Sequence, residues 1–353
     1  MPHLKLVLVP FSVVLLAVLA PVANAATDLP LFKDSDTLHI TLEFPVNTIV
    51  RQKKDKPVVD GVLRYTDTTG KPVEIAMSMT TRGKSRLEYC SFPPLSLNLK
   101  RKQTKDTLFA GQNKLKIVTH CKRGKTQQRY LLQEYGIYRA FNVISDYSYR
   151  ARWLKITYVD TDGKRDDEVH DAFFIESHNE VANRHGMERS RVPSVLPEQL
   201  DVTQSAKYTL FQYLIANTDW SMLKGPGEDG CCHNGKVIIT PGTMEGWIVL
   251  PYDFDQAGLI KTSYSSPAPA LKLKSVRQRV YRGRCLHNDA LTETIALFNE
   301  KREEIEAALN PEDLDGRTRK TALKYINDFY KTINTEKSYT RRIEGVCVGK
   351  KAS

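Results

Sequence analysis

Between residues 211 and 260 the chain carries four side chains whose types and spacing suit chemistry on phosphate: Asp219, Asn234, Asp253 and Asp255. Asp219 follows the helix-like run FQYLIANT. Asn234 stands beside His233 after a Gly-rich connector, and Asp253 and Asp255 leave the apolar segment WIVLP. A carboxylate beside buried apolar chain is costly unless a partner or a cation compensates it. One residue apart, Asp253 and Asp255 share a face in extended chain, which suits them to gripping Mg²⁺ or Mn²⁺. A carboxylate at Asp219 can accept a hydroxyl proton or orient a nucleophile, and Asn234 offers the ion a neutral oxygen. Each also has a plain structural use. Asp219 can cap the following turn, Asn234-Gly235 is a hairpin signal, and acidic pairs commonly end strands.

Two residues upstream fit the same chemistry. Lys100 falls in phase with Ser96 and Asn98 in the alternating run LSLNLK, and its ammonium can neutralise phosphate charge. Glu176 ends the strand-like segment DAFFIE and can hold that lysine in place. A lysine at such a position also serves as a solvated residue of the outer face.

The elements that must position these residues follow from periodicity. From residue 37 to 81 the pattern alternates with period two in LHITLEF, VVDGVLRYT and VEIAMSMTT, which predicts antiparallel strands. LSLNLK and KLKIV add two more. Residues 129–144 place Leu131, Tyr135, Tyr138 and Phe141 on one helical stripe. RWLKITYV and DAFFIE read as a strand pair, and residues 177–200 as a polar hinge. Residues 205–217 predict a helix leading into Asp219. KVIIT and GWIVL predict a hairpin delivering PYDFD, and residues 263–270 a loop able to lie over a cleft. Helices are expected near 289–309 and 312–333. Strands first and helices later give an α+β chain in two lobes, residues 26–200 β-rich and 201–353 mainly helical, and clefts between lobes often hold ligands.

The first residues are a targeting segment: Lys5, an apolar run over residues 6–19, and Ala23-Asn24-Ala25 as a cleavage site after Ala25. The mature chain is expected to be exported, periplasmic or extracellular, with no transmembrane segment left after cleavage. Six cysteines in such a chain predict disulfides, Cys90 with Cys121 and Cys285 with Cys347. The adjacent Cys231 and Cys232 are left to join each other or to cross-pair, with a zinc cluster including His233 as the rival. The net charge of +11 favours an acidic partner, such as an exported protein, another envelope component or a nucleotide. Lys and Arg are dispersed rather than clustered, which argues against sequence-specific nucleic-acid binding.

The motif order resembles the spore coat protein H (CotH) kinase family of secreted or surface-associated atypical kinases. The matching pieces are RGKSR followed by FPPLSLNLK, the helix RYLLQEYGIYRAFNVISDYS, the strand pair ending AFFIES, and then NTDWS, HN and PYDFD. The sequence departs from the family at RGKSR, where asparagine-serine-serine is usual, and at Tyr252 in place of tryptophan. It also carries a long insertion, MLKGPGEDGCC, before Asn234. The resemblance implies an atypical protein-kinase-like two-lobed fold, ATP as phosphate donor, and Mg²⁺ or Mn²⁺. It also implies roles: Arg82, Lys100 and Glu176 at the nucleotide, Asp219 as the catalytic aspartate, and Asn234, Asp253 and Asp255 at the metal. The expected activity is phosphate transfer to Ser/Thr of an exported protein. The alternatives are a non-catalytic, pseudokinase-like envelope scaffold or binding protein, and a metal-dependent hydrolase.

Overall fold

The computed structural model describes residues 29–226 and 230–349, so the expected leader and its cleavage site lie outside the described residues. The first half is built on strands β1 (Leu38–Phe44), β2 (Val59–Thr66), β3 (Pro72–Thr81), β4 (Leu95–Leu99), β5 (Lys114–Val118), β6 (Ala151–Asp160) and β7 (Glu168–Ile175). Short helices α1 (Val46–Arg51), α2 (Ser85–Tyr89) and α3 (Arg101–Thr104) lie between them, and α4 (Lys125–Ile144) is the longest helix. After β7 come α5 (His178–Arg184), β8 (Glu188–Arg189), α6 (Val202–Ile215), β9 (Gly235–Ile239), β10 (Ile248–Pro251), α7 (Leu291–Glu300), α8 (Arg302–Leu309), α9 (Gly316–Ile333) and α10 (Glu336–Arg342).

The expected kinase-like two-lobed fold is corrected here. Strands β1 to β7 form a closed barrel in the order β1-β2-β3-β4-β5-β7-β6, not the open sheet of a separate lobe. Closure comes from β1 running parallel to β6, with Leu38 opposite Leu154 and Phe44 opposite Asp160. All other barrel pairs are antiparallel. Closing the sheet removes both free edges, so no row of backbone donors and acceptors is left unpaired. The alternation seen in the sequence now has an inside: Leu42, Leu63, Leu97, Leu115 and Ile156 are fully buried in the barrel core. Each such side chain contributes about 1.5–3 kcal/mol through burial.

A second core links α4 to the C-terminal helices and to the inner ends of β5 and β7. Helix α4 crosses α8 so closely at Gly136 that a Cβ there would lie 2.3 Å from the Ala308 carbonyl oxygen. A smaller sheet, β10-β9-β8, stands beside α6 and has its own core around Trp220, Trp247 and Val249.

Three disulfides join Cys90 to Cys121, Cys285 to Cys347, and Cys231 to its neighbour Cys232. The first two pairs are those expected, and the third leaves no free thiol for a zinc cluster at His233. None of the described helices is long and apolar enough to cross a membrane.

Candidate functional site

Asp219 is placed by the way α6 ends. Ala216 adopts a left-handed conformation (φ 50°), and the Asn217 N–H bonds back to the Gln212 carbonyl, a common helix stop. The chain leaves the helix and exposes Asp219 after the buried Asn217 and Thr218. Arg282 fixes this turn by donating to the carbonyls of Thr218 and Trp220 at 2.8 and 2.9 Å.

The hairpin β9–β10 brings the other residues to it. Gly235 lies opposite Pro251, and the Tyr252 N–H donates to the Asn234 carbonyl, so Asn234 stands beside the start of the Tyr252-Asp253-Phe254-Asp255 segment. Phe254 is fully buried against Tyr138 and Phe211, which anchors the segment between its two carboxylates. Gly258 follows because a Cβ there would lie 2.2 Å from the Val276 carbonyl oxygen.

Asp219, Asn234, Asp253 and Asp255 line one cleft of about 520 Å³, together with Arg82 and Arg86. Both oxygens of Asp219 are engaged: Oδ1 by His233 Nε2 at 2.7 Å and Oδ2 by Asn234 Nδ2 at 2.9 Å. The hydrogen bond to Asp219 raises the His233 pKa above its usual value. Asp253 differs from its neighbours. Its N–H donates to the Tyr138 hydroxyl, yet its carboxylate has no hydrogen bond or ion pair among the described residues. Burial and the nearby Asp255 push its pKa up to about 6. Asn234 and Asp253 both hold positive φ (46° and 62°), a conformation stored where surrounding structure enforces it and common at functional sites.

Asp255 was expected beside Asp253 on the metal. Its Oδ2 is instead taken by Arg86 Nε at 3.0 Å and the Tyr264 hydroxyl at 3.1 Å. Arg86 also binds Glu134 of α4, and burial raises the Glu134 pKa to about 7 despite that guanidinium. The oxygens that remain to hold a divalent ion are those of Asp253, Oδ1 of Asp255 and the Asn234 amide, with Asp219 adjoining. An all-oxygen set with an unpartnered carboxylate fits Mg²⁺ or Mn²⁺.

The residues expected at a nucleotide fare differently. Arg82 lines the cleft and donates to the Tyr252 hydroxyl at 3.2 Å. Lys100 is exposed at the start of α3 and has no partner among the described residues. Glu176 is buried and holds Arg184 at 3.1 Å, and accepts from the Arg150 N–H, so the expected Lys100–Glu176 pair is not formed. The lysines that line the carboxylate cleft are Lys84 and Lys236, while Lys116 of β5 stands against Tyr252 at its edge, with Nζ 4.3 Å from the ring centroid. Leu115 and Ile117 face the barrel core, so the alternation of KLKIV turns Lys116 to the outer face, where it meets Tyr252.

Lys116 also lines a second, larger cavity of about 950 Å³, shared at Lys236 with the carboxylate cleft. Arg101, Lys114, Arg189 and Arg191 line it too, and none of these four has an ion pair among the described residues. His178 reports the field there: burial first, then Arg189, Lys236 and Lys116, lower its pKa to about 3. The Cys231–Cys232 pair stands between the two spaces, Cys231 lining the basic cavity and Cys232 the carboxylate cleft. Compared with protein-family models and with curated proteins, the chain matches none.

Proposed function

We propose that this chain is an exported phosphotransferase, dependent on Mg²⁺ or Mn²⁺, that moves a phosphoryl group from a nucleotide such as ATP to a Ser or Thr hydroxyl of an exported protein. The observation carrying the proposal is the adjacency of a cavity lined by Arg101, Lys114, Arg189 and Arg191 and a carboxylate cleft in which the Asp253 carboxylate has no hydrogen bond or ion pair among the described residues. The motif order shared with the CotH kinase family supports the same reading, although the barrel gives no support from fold.

The basic cavity suits a polyphosphate, whose charge Lys116, Arg189 and Arg191 neutralise. Asp253 and Asn234 would hold the divalent ion, which when bound draws charge from the phosphate oxygens. Asp219 lines the same cleft, and in this reading an acceptor hydroxyl enters beside it. It orients that hydroxyl and takes its proton as the new O–P bond forms and the bond to the leaving diphosphate breaks. Arg86 and Tyr264 fix Asp255, and so the backbone that carries Asp253.

A second reading has its own observation. His233 and Asn234 occupy both Asp219 oxygens, which suits a carboxylate that positions rather than one that accepts protons. This favours a binding module that holds an anionic ligand without transferring phosphate. Thermal melting with millimolar nucleotide and Mn²⁺, disulfides intact, separates the readings. Ligand at a hundred times its Kd adds about 2.7 kcal/mol of stability. Stabilisation with phosphate transfer that Asp219→Ala abolishes supports the transferase. Stabilisation without transfer selects the binding module, and no stabilisation sinks both.

A further inference from the structure

A different cluster stands on the barrel wall. Glu168 and His170 lie two residues apart on β7 and share a face. His120 follows β5, the strand next to β7 in the barrel, so the sheet sets all three side by side. Their ligand atoms lie within 4.8 Å of one another, and they form the one such trio of His, Cys, Asp or Glu side chains among the described residues. His120 and His170 border a cavity of about 290 Å³ that shares no lining residue with the carboxylate cleft.

We propose that His120, Glu168 and His170 form a binding site for a borderline divalent transition metal, Zn²⁺ foremost, with its fourth position open to this cavity. Two imidazoles and one carboxylate are a donor set that Zn²⁺ accepts, and three protein ligands with an open position describe a reactive site rather than a purely structural one. A second observation is independent of the spacing. His120 is only 7% exposed, and its Nδ1 is buried without a hydrogen-bond partner, a deficit that ligation removes.

The geometry also states what must move. The rings of His120 and His170 stack with centroids 3.5 Å apart and planes 15° apart. An imidazole holds a metal in its ring plane, about 2.0–2.1 Å from the nitrogen, and two near-parallel planes cannot both contain one ion. His120 is packed against Phe92 and fixed. His170 is half-buried and held through Nε2 by Glu168 Oε2 at 2.8 Å, so it is the ring that turns. Arg123 and, at 3.8 Å, Arg165 hold Glu168 from outside and would orient it as a ligand. Lys122, Lys125 and Lys155 rim the cavity, so the fourth ligand is expected to be an anion.

Full-length mature protein with intact disulfides, stripped with chelator, is titrated with Co²⁺ and Zn²⁺. The expected result is one four-coordinate Co²⁺ per chain, read by its strong visible absorption, distinct from any six-coordinate ion at the carboxylate cleft, and displaced by Zn²⁺. Paramagnetically shifted signals from two imidazole N–H groups are also expected. His170→Gln and Glu168→Gln, both at partly exposed positions, should each weaken binding at least about tenfold, while Asp253→Asn leaves it unchanged. Metal-free melting of each variant checks that it is folded. Absence of binding by the wild type, binding undiminished in both variants, or loss caused by Asp253→Asn would each overturn the proposal. The imidazole signals decide the case if a variant fails to fold.

Discussion

The unpartnered carboxylate of Asp253 makes a two-sided prediction for Asp253→Asn. In the folded chain its pKa stands at about 6 rather than 3.8, because burial and Asp255 oppose its charge. At 1.36 kcal/mol for each pH unit, keeping it ionised above pH 6 costs the metal-free fold about 3 kcal/mol. A raised carboxyl pKa means that folding takes up a proton, so the cost grows as pH rises from about 4 to about 6 and stays constant above. The isosteric amide removes the charge. Asp253→Asn should therefore melt up to about 6 °C above the wild type at pH 7.5 without metal. That advantage should vanish near pH 4. The same variant should lose the stabilisation that Mn²⁺ with nucleotide gives the wild type. Wild-type Mn²⁺ affinity should itself fall as pH drops below about 6, where the proton competes. Differential scanning calorimetry across pH, with and without Mn²⁺ and nucleotide, measures both arms. A variant melting at or below the wild type at pH 7.5, or one that keeps the metal-dependent shift, refutes the reasoning.

Lys116→Met should weaken nucleotide binding about tenfold or more by calorimetric titration, whereas Lys100→Met should leave it unchanged, since only the first lines the basic cavity. Arg86→Met should lower stability by about 3–5 kcal/mol in denaturant unfolding, because it leaves Glu134 and Asp255 buried without their shared cation. His233 should titrate above 6.5 by NMR in the wild type and lower in Asp219→Asn. Because its folded pKa is raised, the His233–Asp219 pair stabilises fully below pH 6.5 and fades as pH rises through the folded value.

Local pattern carried most of the elements. Alternation in LHITLEF and KLKIV became β1 and β5, and the stripe through Leu131, Tyr138 and Phe141 became the buried face of α4. The turn after α6 and the β9–β10 hairpin also follow from short-range signals, and these elements bring Asp219, Asn234 and Asp253 to one cleft. What failed depended on distant pairing. The parallel contact of Leu38 with Leu154 joins residues more than a hundred apart, and nothing in either strand announces it. With β1 taken for an edge, the sheet looked open. Lys100 was chosen because it continued an alternation by one residue, but β4 stops at Leu99 and a short helix begins there. Glu176 looked like a partner for a lysine since Arg184, which takes it, lies on a helix the polar stretch 177–200 concealed. The partners of Asp255 Oδ2 were hidden for the same reason: Arg86 and Tyr264 come from opposite sides in sequence.

Arg86 has a bearing on whether the chain can be divided. It leaves α2 just after β3, and its guanidinium is met by Glu134 from α4 and Asp255 from beyond β10. All three side chains are at most 13% exposed. A fragment ending near residue 200 would bury Arg86 with only one of its two counterions, and the complementary fragment would carry Asp255 with none. Neither piece is therefore expected to fold as a self-sufficient module or to survive domain shuffling or circular permutation at that point. The segment that bears Asp253 is held in place only when both ends of the chain are folded together.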